Sequence, residues 1–215
     1  MGMCHSTKTT RLFMGFIHMK NNTKKQEILK TYAAVIEKQG VEGASLGAVA
    51  RQLGINQSLI FHYFENKEDL TIQLTEHVCQ MCVKSYEKAF PKEDDLTLDS
   101  FDYFVGYILE IHQNRRRMVS PKLYFALTYL LPRQAQVKES FARLTGMLVK
   151  MISTQLERYK AAGIIRVSDT HMAARTLLCL ADGILCYDEL TPSDMRRKFI
   201  EAQKALFLAS VGFAD

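Results

Sequence analysis

The chain has 215 residues, of which 47% are hydrophobic and 24% charged, with a formal net charge of +5. That length buries a core without disulfide or metal staples, and the composition is that of an ordinary globular protein. No run reaches the ~18 consecutive apolar residues of a membrane helix. The best candidate, Thr176 to Cys186, is short and broken by Asp182. The cysteines at 4, 79, 82, 179 and 186 follow no framework spacing, so reduced thiols and a cytoplasmic location are expected. The charge balance permits a nucleic-acid partner without requiring one.

In chain order, residues 1–22 read as a disordered or partly artificial leader, with Met19 as a candidate start. Its apolar run, Leu12 to Ile17, is too short for a signal peptide and no clear cleavage site follows. Thr23 and Gln26 have the spacing of a capping box. Ile28, Leu29, Tyr32, Ala33 and Ile36 share one helical face, and Gly40 is placed to close that helix. Ser45 opens a short helix with inner face Val49, Ala50 and Leu53, which Gly54 stops. Asn56 or Gln57 opens a third, carrying Ile60, Phe61 and Phe64. Asn66 with Asp69 caps a fourth, running through Leu70, Leu74, Val78 and Met81.

An acidic loop from Phe90 to Ser100 follows, with Pro91, Glu93, Asp94 and Asp95. Helices are then expected over Phe101–His112, over Lys122–Leu131, from Pro132 to Ala162 with Gly163 as its stop, and from Ser168 through Ile184. Thr191-Pro192-Ser193-Asp194 begins the last, with Pro at the first helical position and Met195, Phe199, Ala202 and Leu206 along it. Scarce Pro and Gly and the helical periodicity predict an all-α fold of about nine helices. The division expected is a helix-turn-helix domain at 23–70 and a larger helical domain at 71–215.

The window Leu46 to Tyr63 carries the chemistry. Two short helices crossing steeply over a tight turn need a small residue at the crossing, and Ala50 supplies it. The turn needs a residue that accepts positive φ, and Gly54 supplies that. Ile60, with Ile55 below it, is placed to pack back onto the first helix. An ordinary helical hairpin would meet the same three demands. The amide-rich opening Asn56-Gln57-Ser58 is what core packing does not require, and such side chains pair with adenine edges in the major groove.

The stretch Glu27 to Leu74 resembles the DNA-binding domain of the TetR family of regulators. The matching residues are Ile28, Ala33 and Gly40, then Ser45, Val49, Ala50 and Leu53-Gly54-Ile55, then Phe61-His62-Tyr63-Phe64 and Asn66-Lys67-Glu68-Asp69-Leu70. The resemblance implies an N-terminal DNA head and a C-terminal body that senses a ligand and dimerises. It places Ser45 as a cap that touches phosphate, Asn56 and Gln57 at base-reading positions, and Lys67 on the DNA backbone. The candidate DNA-contacting set is Ser45, Asn56, Gln57, Ser58, Phe61, His62, Tyr63 and Lys67. Phe61 stands where a Tyr is usual, removing a phenol-to-phosphate bond; Tyr63 stands where His is common; Gly47 offers no side chain at a position that can read bases.

In the body, Met81, Tyr86, Phe101, Phe104, Tyr107, Phe125 and Tyr129 are candidates to line an apolar pocket for a hydrophobic or aromatic molecule, or else plain core. Cys79 and Cys82 share a helical face, but a metal site needs further ligands and only His77 is near, on another side. Arg115-Arg116-Arg117 and Arg196-Arg197-Lys198 read as solvated helix ends. The resemblance implies that Ala173, Leu177, Leu180, Ala181 and Ile184, with Met195, Phe199, Ala202 and Leu206, pair with their twins in a four-helix dimer bundle. Burial within one chain would use the same residues. No Ser-His-Asp logic, Gly-rich phosphate loop or HExxH motif is present, so no enzyme, cofactor or metal is expected. The expected partners are operator DNA, a small-molecule effector and a second copy, with a repressor's sense. The alternative is a helical small-molecule-binding protein whose DNA head has lost function.

Overall fold

The computed structural model describes residues 23–91, 95–113, 119–188 and 190–213. The leader at 1–22, Arg115-Arg116-Arg117, and Glu93 and Asp94 of the acidic segment lie outside the described residues. Among those described the chain forms α1 (Thr23–Gly43), α2 (Leu46–Leu53), α3 (Gln57–Ile60), α4 (Lys67–Glu87), α5 (Leu98–Leu109), α6 (Pro121–Thr128), α7 (Ala135–Ala161), α8 (Thr170–Asp188) and α9 (Ser193–Val211). The fold is all-α, with one isolated antiparallel bridge between Ile165 and Phe213. No described helix is long and apolar enough to cross a membrane. The chain divides into two compact units, residues 1–70 and 71–215.

In the first unit, Ile28, Leu29, Tyr32 and Ile36 of α1 bury their side chains, with Val49 and Ala50 of α2, Ile60 of α3, Phe64 and Leu70. Gly40 takes a positive φ of 72° and kinks α1, so a last turn reaches Gly43 beyond the expected stop. In the second unit α8 packs along α7 and against α5 and α9. Phe101, Phe104 and Ile108 of α5, Ile152, Leu156 and Tyr159 of α7, Leu177, Ala181 and Ile184 of α8, and Phe207 of α9 form the core. A core of this apolar area is the main stabilising term of the unit.

Several element limits differ from expectation for local reasons. α5 begins at Leu98, three residues before the expected Phe101, because Thr97 and Ser100 form a reciprocal capping box at 2.9 and 3.1 Å, with Ser in the place more often held by Glu or Gln. α8 is capped by Asp169, whose Oδ1 accepts from the Met172 amide at 2.8 Å, so it starts after Ser168 and runs on to Asp188. α6 starts one residue before Lys122, with Ser120 as cap and Pro121 in its first turn, and ends at Thr128. α7 starts at Ala135, three residues beyond Pro132. Pro192 caps α9 with its carbonyl and is not the first helical residue. α3 stops at Ile60, leaving Phe61 and Phe64 in the turn that follows.

Candidate functional site

The turn between α2 and α3 closes as a Schellman motif. Gly54, at φ 63° and ψ 32°, donates its amide to the Arg51 carbonyl at 3.3 Å, and Ile55 donates to Ala50 at 3.0 Å. The left-handed residue reverses the chain within one turn and aims α3 away from the axis of α2. Asn56 then caps α3, its Oδ1 accepting from the Ser58 amide at 3.0 Å. Ile60 is fully buried and anchors this short helix, while Asn56, Gln57 and Ser58 are exposed. The result is a polar tip on an apolar root.

The expected DNA-contacting residues differ in what they have left to offer. Ser45 is exposed and caps α2 by accepting from the Ala48 amide at 3.1 Å, which leaves its O–H to donate outward. Asn56 spends a carbonyl lone pair on its cap, weakening its fit for paired bonding to adenine. A Cβ added at Gly47 would stand 3.5 Å from Gln57 Oε1, an ordinary contact, so Gly47 lies directly beside the Gln57 amide. Phe61 is 50% exposed, a large apolar ring on the polar surface. His62 is exposed and Tyr63 half-buried. Lys67 Nζ donates to the carbonyls of Val41 at 2.8 Å and Glu42 at 3.3 Å, so it caps the end of α1. Lys24 pairs with Glu27 at 2.6 Å, and Lys25 lies 5.4 Å from the Phe64 ring centroid.

The second unit scatters the aromatic residues singled out for a pocket. Phe101 and Phe104 are fully buried core, stacked edge-on against Tyr159 and Phe90 at 4.9 and 5.4 Å. Phe125 and Tyr129 are exposed, the latter under the Arg133 guanidinium. Met81 is half-buried, and so is Tyr107, which contacts Tyr103. Of the seven, Tyr86 alone lines a small cavity formed with Cys82, Ser85, Ile111, His112, Val119, Pro121 and Tyr124. In this conformation it has about 20 Å³, room for a single water-sized molecule.

Asp182 stands at its edge. The Tyr124 hydroxyl donates to Asp182 Oδ1 at 3.4 Å, and His112 Nε2 lies 3.4 Å from the same oxygen but makes no hydrogen bond although buried. Burial pushes the Cys82 thiol up to about 12, with Cys79 and Asp182 adding to it. Burial first and the Asp182 charge second hold the Tyr86 and Tyr124 phenols well above their usual range. Nothing in the sequence reading joined these residues; an acid inside an otherwise apolar helical run was the one available signal. Among the described residues no group of three or more His, Cys, Asp and Glu is placed to hold a metal ion.

α8 and α9 also carry an outward apolar face. Leu177, Ala181 and Ile184 turn inward, so the outward stripe on α8 is Met172, Thr176, Cys179, Gly183 and Tyr187. On α9 the core residues are Ile200, Phe207 and Val211, leaving Met195, Ala202 and Leu206 exposed.

Residues 28–74 match the model of the bacterial regulatory proteins of the tetR family. The chain is 24% identical over 186 residues to the HTH-type transcriptional regulator BetI 2 of Chromohalobacter salexigens, covering 86% of this chain and 84% of that one. E. coli NemR in its reduced form shares the fold, with a TM-score of 0.72 at 13% identity over 89% of this chain and 99% of its own. So does a transcriptional regulator of Saccharomonospora viridis solved in complex with choline, with a TM-score of 0.71 at 12% identity over 85% and 94% of the two chains. The family match falls on the helices that build the Schellman turn and its polar tip, and this head is similar to that of the TetR family of transcriptional regulators.

Proposed function

We propose that this chain binds operator DNA as a homodimer and represses transcription until a small molecule releases it. The observation that carries the reading is the exposed Asn56-Gln57-Ser58 tip standing on the buried Ile60, directly after the Gly54 turn. Core packing has no use for such a tip; a major groove does. Gln57 is the base reader, since its amide is not spent on a cap. Ser45 donates to phosphate, and the Phe61 ring suits a thymine methyl better than a phosphate. Lys67 contributes mainly by holding the end of α1. His62 and Tyr63 follow the tip in the chain and complete the proposed contact set.

The outward faces of α8 and α9 supply the dimer. Leu206 is 62% and Met172 57% exposed, and burying two copies of such faces is favourable at roughly 25 cal/mol per Å². Two heads then engage successive major grooves, about 34–36 Å apart. A neighbour of the same fold holds choline, which supports a small-molecule effector here. The chain acts as a regulator of the cytoplasm and not as an enzyme.

A band-shift titration on DNA upstream of the chain's own gene tests this, with Gln57→Ala beside it. Specific affinity should fall about 10-fold or more in the variant, while non-specific, salt-sensitive binding persists. The absence of any specific shift overturns the reading. The exposed Phe61 and the side-chain-free Gly47 favour a second reading, a small-molecule-binding protein with a silent head. Under it Gln57→Ala changes nothing.

A further inference from the structure

Resting on the reading of the chain as a homodimer through α8 and α9, we propose that Cys179 and Cys186 form a redox site between two copies, where a peroxide joins their thiols in disulfide bonds across the interface. α8 carries Met172, Thr176, Cys179, Gly183 and Cys186 at steps of four, three, four and three residues, none of them charged. That alternation holds one line along a helix and is the spacing of a seam between two helices. The line lies opposite the buried Leu177, Ala181 and Ile184; Met172 is 57% exposed, and both thiols are exposed. A helical seam is covered by a helix, and a second copy brings the same one.

Gly183 points to a close approach. A glycine weakens a helix interior, and this one answers no need of its own chain, since an added Cβ would meet nothing within 4 Å. Standing between the two cysteines, it lets a second backbone come near. A disulfide demands that nearness, with Cα atoms no more than about 6.8 Å apart. Within one chain the two sulfurs cannot meet, because seven residues along a helix span about 10.5 Å. Cys79 and Cys82 are buried on α4. Each α8 thiol therefore finds its partner in another molecule.

The chemistry balances with a peroxide as the two-electron oxidant. One thiolate attacks a peroxide oxygen, the O–O bond breaks, and a sulfenic acid forms as the first water leaves. The thiolate of the other copy then attacks that sulfur, the S–O bond breaks, and the disulfide forms as a second water leaves. In a reducing compartment the thiols stay free and the dimer can dissociate. Under oxidant it cannot, until a reducing thiol cleaves the bond.

Full-length protein carrying Cys4→Ser, which removes the thiol outside the described residues, tests the site. Once reductant is removed, hydrogen peroxide should give a dimer-mass band on a non-reducing gel, and dithiothreitol should reverse it. Peptide mass mapping should find Cys179 and Cys186 in the linkage and Cys79 and Cys82 as free thiols. Adding Cys179→Ser and Cys186→Ser should abolish the band while sedimentation still gives the dimer mass. No dimer band, a band that survives those two changes, or a linkage through Cys79 or Cys82 overturns the site. Sedimentation in reductant separates the two readings. A dimer that peroxide does not cross-link removes the redox site alone, whereas a monomer removes the dimer and the site with it.

Discussion

Gly54 and Gly47 lie seven positions apart and serve opposite needs. Gly54 holds φ 63° with nothing within 4 Å of an added Cβ, so Gly54→Ala meets no clash and suffers only the strain of the left-handed region, about 1–2 kcal/mol. A lower melting temperature for the head is the expected outcome, followed by circular dichroism. Gly47→Ala brings a Cβ into ordinary contact with Gln57 Oε1 at 3.5 Å and also removes a poor helix former. Its melting temperature should hold or rise, while its DNA affinity or sequence preference changes through Gln57. Equal destabilisation by both changes would contradict this assignment of roles.

At the scale of elements, helix faces decide thiol chemistry. Cys79 and Cys82 lie on the buried face of α4, and burial pushes each thiol up to about 12 from a usual 9.0. Cys179 and Cys186 lie on the exposed side of α8. Iodoacetamide at pH 8 should therefore spare the α4 pair until denaturation, and label the α8 pair where the face proposed to meet a second copy is open, as in monomeric Leu206→Asp. Peptide mass mapping reads the result, and native labelling of Cys82 would refute it. The sign of the pH effect follows. A raised folded-state pKa means stability present below 9.0 and lost as pH climbs toward about 12, so the melting temperature should fall over that alkaline span.

For the whole molecule, the outward faces of α8 and α9 are the surface on which a second copy is proposed. Leu206→Asp puts a charge at a residue 62% exposed in the single chain, so the fold should survive while the association does not. Sedimentation should move from dimer to monomer mass, and operator affinity should fall steeply because one head replaces two. The dependence of binding on salt should become shallower at the same time, as phosphate contacts halve. A monomeric variant that keeps full operator affinity would separate dimerisation from DNA binding.

The helix-turn-helix was legible from sequence because its determinants are local. A hydroxyl at Ser45, an amide at Asn56 and a glycine at Gly54 act on backbone groups within a few residues, and the structure closes each bond at that range. The all-α class was legible for the same reason, as periodicity and caps. Helix limits slipped where the cap used a less common partner, as with Ser100 and Asp169. Periodicity says that a helix has an apolar face but not what covers it. Tertiary packing alone turned Leu177, Ala181 and Ile184 inward, spent Phe101 and Phe104 on the core, and brought His112, Tyr124 and Asp182 together from elements up to 70 residues apart. Local hydrogen bonds are written in neighbouring residues, whereas the neighbourhood of a side chain across the core exists only once the helices have docked.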